Sequence, residues 1–316
     1  MEKRLPNQEF RKLVILLKDK EQKKRLYPGE EPKTIDWSAY TLTQIHQAKD
    51  TLIFIRDAVN QCSFPSEEGK VGKPLTDPRI LAKAVLACEL LGLPERQAQG
   101  WLEIIGPFLG IYESLDDWVI GEAYARPKVA CILYQIFISY QDSDGKLSGD
   151  GTGLERTRKQ NYESTKSKEG TYMTSIIDSR EIVQAFDISG VQECVIMHEL
   201  MKQVKGDSLR LDAGFNDRDL VAEIEELLMT PYVYPKKIND MNGSLAWKCM
   251  YLEFFWDVYA WLKEYHQRSH CESFHSSFKR VFGVVTKVRY ACRFTQITTR
   301  IILHNFWRLS YFARAK

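Results

Sequence analysis

Five short stretches of β-strand character crowd between residues 146 and 234, and helix-forming sequence flanks them on both sides. They cover residues 146–154, 171–177, 181–188, 208–211 and 232–234. Asp178-Ser179-Arg180 joins the second to the third, which is a hairpin signal. Amphipathic stretches at 192–204 and 217–229 carry the helical period between the later strands. Strand, hairpin, helix, strand, helix, strand predicts a mixed α/β fold, one mixed sheet with helices packed against it.

Upstream, residues 38–61 read as a helix with Ile45, Leu52, Ile53, Ile55 and Val59 on its buried side. A helix over 78–91 has Pro78 at its first turn and Gly92 after its end. A second spans 95–105, and after Gly106-Pro107 and Gly110 a third starts near Ser114, whose side chain can cap the turn at Asp117. Two helices joined by Gly92-Leu93-Pro94, then a third, resemble a DNA-binding helix-turn-helix, a pattern any compact three-helix unit shares. Residues 129–140 are largely apolar and read as a helix or a buried strand, and 244–307 are almost wholly helical apart from a break near Gly283. The expected organisation is a helical N-terminal region over 1–128 and a sheet domain with a basic C-terminal helix over 129–316. Polar loops at 63–77 and 156–168 separate the elements.

The cysteines and histidines narrow the chemistry. Seven Cys are scattered without a Cys-x2-Cys pair, and the six His do not fall at zinc-ligand spacing. A disulfide scaffold and a zinc finger are therefore disfavoured, and reduced thiols are expected. No apolar run approaches the ~18 residues of a membrane span, and no signal-peptide core follows Met1. The expected location is cytoplasmic, at the nucleoid when DNA is bound. Net charge is +2, yet residues 279–316 hold nine Lys/Arg and no acid, leaving 35 basic against 42 acidic side chains in the remainder. A basic tail on an acidic body points to a local polyanion contact.

Three carboxylates stand where chemistry would want them. Asp150 lies between Gly149 and Gly151 on the first strand, and Asp212 ends the strand at 208–211. Glu272 falls in a helix. Carboxylates at strand ends, with one from a facing helix, can converge on a hard cation such as magnesium. Each alone also has an ordinary reading as a turn residue or a solvated helix side chain. At about 100° per residue, Tyr265, Arg268, Glu272 and Lys279 fall at about 0°, 300°, 340° and 320°, one stripe of a single helix. A carboxylate bracketed by two cations suits a metal beside phosphate.

Tyr265-x2-Arg268-x3-Glu272-x6-Lys279 matches the signature of DDE-type insertion-sequence transposases at all four positions. The resemblance extends to Gly149-Asp150-Gly-Thr-Gly-Leu154, Leu211-Asp212-Ala-Gly-Phe-Asn216, Pro235-Lys236-Lys237, Lys279-Arg280-Val-Phe-Gly283 and Leu303-His-Asn305, over about residues 145–307. It implies a ribonuclease-H-like core in which Asp150, Asp212 and Glu272 hold two Mg2+ ions, with Mn2+ able to substitute. It further implies an enzyme that binds the double-stranded DNA of terminal inverted repeats as a homodimer. Such an enzyme cleaves at the ends and joins the 3′ hydroxyls to target DNA. Tyr265, Arg268, Lys279 and Arg280 would then lie beside DNA. Some relatives carry a β-rich insertion between the second Asp and the Glu. Here 59 residues separate them, most of them helical, so any insertion is small.

Other constellations lead elsewhere or nowhere. His198-Glu199 lacks the second His of a zinc-protease motif, and Gly149-x-Gly-x-Gly153 lacks the Lys-Ser/Thr of a phosphate loop, so no nucleotide cofactor is expected. Trp247, Trp256 and Trp261 could stack a displaced base, although core packing is the commoner role. If 285–307 is one helix, Arg289, Arg293 and Arg300 share a face and could track a DNA backbone. The rivals to a transposase are a structure-specific nuclease with the same metals and a DNA-binding protein without activity.

Overall fold

The computed structural model describes residues 6–29, 34–63, 76–155 and 170–315. The polar loop expected over 156–168 lies outside the described residues, as does nearly all of that over 63–77. Along the chain come α1 (Asn7–Leu16), α2 (Lys20–Leu26), α3 (Trp37–Gln61), α4 (Pro78–Leu91), α5 (Glu95–Leu109), α6 (Asp117–Ala123) and α7 (Pro127–Ser139). The strands β1 (Lys146–Leu154), β2 (Thr171–Ile177) and β3 (Val183–Asp187) follow, then α8 (Glu193–Leu200), β4 (Ser208–Leu211), α9 (Arg218–Glu226) and β5 (Thr230–Val233). Last come α10 (Leu245–Trp256), α11 (Val258–Tyr265), α12 (Ser269–Phe282) and α13 (Tyr290–Arg314). No described helix is long and apolar enough to cross a membrane.

The fold is mixed α/β, with one five-stranded sheet in the order β3-β2-β1-β4-β5. β2 and β3 form the expected antiparallel hairpin, while β1, β4 and β5 run parallel. The sheet is thus mixed, with helices flanking it. Its parallel strands need crossovers, and the helical stretches α8 and α9 supply them.

Two compact units divide the chain, Met1–Thr34 with Asp142–Gly153 and Tyr172–Ser277, and Ile35–Gln141 with Leu154–Thr171 and Phe278–Lys316. They do not separate at 128/129. In the sheet unit, α1 is part of the core. Phe10 is fully buried, with its ring 5.0 Å from that of Tyr251 and 5.7 Å from that of Phe254. In the helical unit, α7 and α13 join α3 to α6. Apolar periodicity tells which face of a helix is buried and not which core buries it.

The helical unit is built around α4, whose residues 81–89 are all buried. Its ends are as expected, with Asp77 accepting from the Arg79 N–H, Pro78 in the first turn and Gly92 left-handed at φ +62°. α5 runs on to Leu109 through Pro107 instead of stopping near 105, and Gly110 ends it at φ +73°. Asp116, not Ser114, caps α6, accepting from the Val119 N–H at 2.7 Å. Residues 295–305 of α13 are buried along their whole length.

That burial corrects the expected cationic ridge. Arg300 is held inside the helical unit, where Nε donates to Glu89 at 2.6 Å and Nη1 to the Val284 carbonyl at 3.2 Å. The Glu89 carboxylate also accepts from Gln296 at 2.9 Å and the Tyr124 hydroxyl at 2.8 Å. Arg293 is half-buried against Thr171 and Tyr290, and only Arg289 is exposed, 3.4 Å from Glu122. Neighbouring elements enclose this stretch of α13 on its polar as well as its apolar sides, which brings its arginine inside.

Candidate active site

Strand register brings the two aspartates together. Parallel β1 and β4 pair with Gly149 opposite Leu211, so Asp150 and Asp212 occupy the next position on adjacent strands. Neighbouring strands lie about 4.8 Å apart, and the C-terminal edge of parallel strands is where α/β folds hold ligands. The glycines flanking Asp150 keep the edge tightly packed. A Cβ at Gly149 would fall 2.7 Å from both Leu211 Cδ2 and Met197 Cε, and one at Gly151 2.7 Å from the Glu193 carboxyl carbon. Asp212 leaves β4 into a 3-10 turn and takes the Gly214 N–H on Oδ1 at 2.6 Å. Asn216 pins that loop, donating to the Tyr251 hydroxyl at 2.7 Å, and Phe215 is wholly buried beneath it.

Glu272 arrives on α12, which two buried contacts fix to the sheet. The Cys271 thiol donates to the Ser148 carbonyl of β1 at 3.4 Å. His275 Nε2 lies 3.1 Å from Ser175 Oγ on β2. Just upstream, Arg210 of β4 is 1% exposed and donates to the Glu264 carbonyl and carboxylate of α11 at 2.6 and 2.7 Å. The helix ends carrying the signature residues are thus anchored to β1, β2 and β4.

The expected single stripe is corrected, because α11 ends at Tyr265 and His266–Arg268 form a 3-10 turn before α12. Three residues per turn, not 3.6, rotate the two ends relative to each other. Tyr265 is consequently 7% exposed, its ring stacked on Trp261 at 5.2 Å and tilted against Tyr234 at 5.0 Å. Arg268 turns inward instead, donating to Asp150 Oδ2 at 3.1 Å and to Glu272 Oε1. One guanidinium thereby spans two of the three carboxylates.

The electrostatics show which acids act on one another. Burial raises the Asp150 carboxyl above its usual range, with Asp212 and Glu272 adding to the shift against Arg268 and the Gly151 N–H. Glu193, in the first turn of α8, is likewise raised by burial and then by Asp150 and Asp212. It is a fourth carboxylate that sequence reading missed, since a lone helix Glu carries no local signal and only the Gly151 gap hinted at a close neighbour. The Tyr265 hydroxyl is raised by burial, opposed by Arg268 and abetted by Asp212.

The donor set fits a hard divalent cation, being all carboxylate oxygen with negative charge in excess of Arg268. The trio is an open arrangement. Among the described residues, Cys194, His198 and Asp217 bring ligand atoms within 4.8 Å of one another, whereas Asp150, Asp212 and Glu272 are not so tightly drawn. Glu272 is exposed, and its Oε1 accepts from Arg268.

The remaining expected contacts separate by exposure. Lys279 and Arg280 are exposed on α12, as are Lys236 and Lys237 after β5. Trp247 and Trp261 are core residues, 1% and 3% exposed, and Trp256 is 74% exposed.

No family model matches the chain. It is 25% identical over 248 residues to a probable transposase for insertion sequence element ISA1214 of Archaeoglobus fulgidus, covering 75% of each protein. A pre-cleavage Mos1 transpososome aligns over 99% of both chains at 13% identity, but its TM-score of 0.17 gives it no weight.

Proposed function

We propose that this chain is a DDE-type DNA transposase in which Asp150, Asp212 and Glu272 hold two Mg2+ ions, with Mn2+ able to substitute. The observation that carries the reading is the Gly149–Leu211 register, which sets Asp150 beside Asp212, with Arg268 reaching from Asp150 to Glu272. The similarity to a probable insertion-sequence transposase over three quarters of each chain supports it.

Two bound divalent ions supply hydroxide at neutral pH and stabilise the leaving oxygen of a phosphodiester. The chain's own groups do the rest. Asp150, Asp212, Glu272 and Glu193 concentrate negative charge on the edge of β1 and β4, where it holds cations and repels unescorted phosphate. Arg268 keeps Asp150 and Glu272 oriented and can donate in a planar fork to a phosphate oxygen beside the cut. Tyr265, packed between Trp261 and Tyr234, acts by holding Arg268 in place. Lys279 and Arg280 are free to meet backbone phosphates farther along the duplex. The double-stranded substrate is a pair of terminal inverted repeats, bound by a homodimer, whose 3′ hydroxyls are joined to target DNA.

Pre-cut transposon ends supplied with a target plasmid and Mg2+ test the reading. Joined products are expected from the parent chain, and none from Asp150→Asn. Cleavage without joining would instead identify a structure-specific nuclease.

A further inference from the structure

We propose a second metal site in the sheet unit, a zinc-type site made by Cys194, His198 and Asp217 and independent of the transposase reading. The Cys194 thiol, a His198 ring nitrogen and a carboxylate oxygen of Asp217 lie within 4.8 Å of one another, and all three residues are partly buried. Cys194 and His198 are four residues apart on α8, so both side chains leave the same face. Asp217 comes from the neighbouring element as the N-cap of α9.

Each ligand is set up by its surroundings. Asp217 uses Oδ1 to cap α9, accepting from the N–H groups of Asp219 and Leu220 at 2.8 and 3.4 Å. Its Oδ2 faces the Cys194 sulfur at 3.9 Å. Glu223, one turn into α9, lies 3.0 Å from His198 Nδ1. With Nδ1–H donating to that carboxylate, Nε2 carries the lone pair a metal takes, the support that metal-bound histidines usually have. A pocket of about 330 Å³ is lined by Glu193, Cys194, Gly214 and Phe215 among others, so it opens beside one of the three ligands.

The donor set decides which ion. One thiolate, one imidazole and one carboxylate suit Zn2+ with a water as fourth ligand, and a thiolate is a poor partner for Mg2+. The cluster therefore selects a different metal from the oxygen-only group at Asp150. Its mechanical effect is to clamp α8 to the start of α9, five residues beyond Asp212, and so to hold the far end of the loop that carries that aspartate. Mixed Cys-x3-His spacing with a distant Asp is invisible to a search for paired Cys or paired His.

Cobalt substitution tests the proposal. The chelator-treated full chain is titrated with Co2+ while thiolate-to-cobalt charge-transfer absorption is followed in the near ultraviolet. One equivalent of thiolate-bound Co2+ per chain is expected, displaced by Zn2+ and not by excess Mg2+. Cys194→Ser should abolish the band and Asp150→Asn should leave it, since carboxylate-bound cobalt gives no such absorption. Glu223→Gln should weaken Co2+ binding about 10- to 100-fold. No band in the parent chain, or a band that persists in Cys194→Ser, would overturn the proposal. If circular dichroism shows Cys194→Ser unfolded, His198→Gln is read in its place, and an undiminished affinity there overturns it equally.

Discussion

Two arginines, each gripped by carboxylate, make opposite use of the same pairing. Arg300 and Glu89 in the helical unit are 6% and 7% exposed, and every strong hydrogen-bonding group of the carboxylate has a protein partner in Arg300, Gln296 and Tyr124. Arg268 in the sheet unit is 17% exposed, beside Asp150 at 19% and Glu272 at 62%, and the acids around it outnumber it. A buried, balanced pair has nothing left to offer a ligand and serves the fold. A partly open cluster with surplus negative charge is unfinished electrostatics, which a cation or a phosphate-bound metal would complete.

The largest effect expected from breaking this comparison is on the balanced side. Arg300→Ala leaves Glu89 buried and unpaired and should cost about 3–5 kcal/mol of stability by denaturant titration. A Glu89→Leu/Arg300→Met pair should recover much of that loss. If Arg300→Ala instead spared stability and weakened DNA binding, the two clusters would not differ as argued.

On the open side, Asp150→Asn should lower Mg2+-dependent strand cleavage by about 10²–10³-fold, the scale of losing one charge-stabilising group. It should do so without loss of melting temperature. Asp150 titrates above its ordinary range in the folded chain, so the fold binds its proton more tightly than the unfolded chain does. The parent therefore loses stability as pH rises through that range, and the asparagine variant does not.

His266 sharpens the comparison through pH. Burial, then Lys23 and Arg268, push it down to about 4, and its ring stacks on Tyr27 at 4.7 Å. Because the unfolded chain takes the proton first, stability should fall as pH drops from about 6.5 toward 4. His266→Gln should flatten that slope in melting curves recorded across the interval. An unchanged slope would mean that His266 is not the group responsible.

The smallest effect belongs to an exposed cation. Lys279→Ala should keep stability within about 0.5 kcal/mol and reduce the salt dependence of DNA-end binding by about one phosphate contact. A large drop in melting temperature there would remove Lys279 from the proposed interface.

Local periodicity carried much of the fold. β1 and β4 fall on the expected residues, as does α4, because short strand runs bounded by turn residues, Pro78 and Gly92 act within a few residues of where they stand. Tyr265 and Arg300 were misread for a common reason. Each was assigned from its angle on an unbroken helix, and the 3-10 turn at His266–Arg268 and the enclosure of α13 depend on neighbours from elsewhere in the chain.

The sequence alone marked out the strands and their hairpin, since these follow from short-range geometry and residue type, and it nominated three acids as metal ligands. Only the tertiary structure decided that the chain divides into interleaved units, that Arg268 faces the acids while Arg300 faces the core, and that Glu193 feels the charges of Asp150 and Asp212. It also decided that Cys194, His198 and Asp217 meet. Such encounters join residues as far as about 210 positions apart, as in Glu89 and Arg300. They are set by packing and desolvation of whole elements, which no local pattern of side chains encodes.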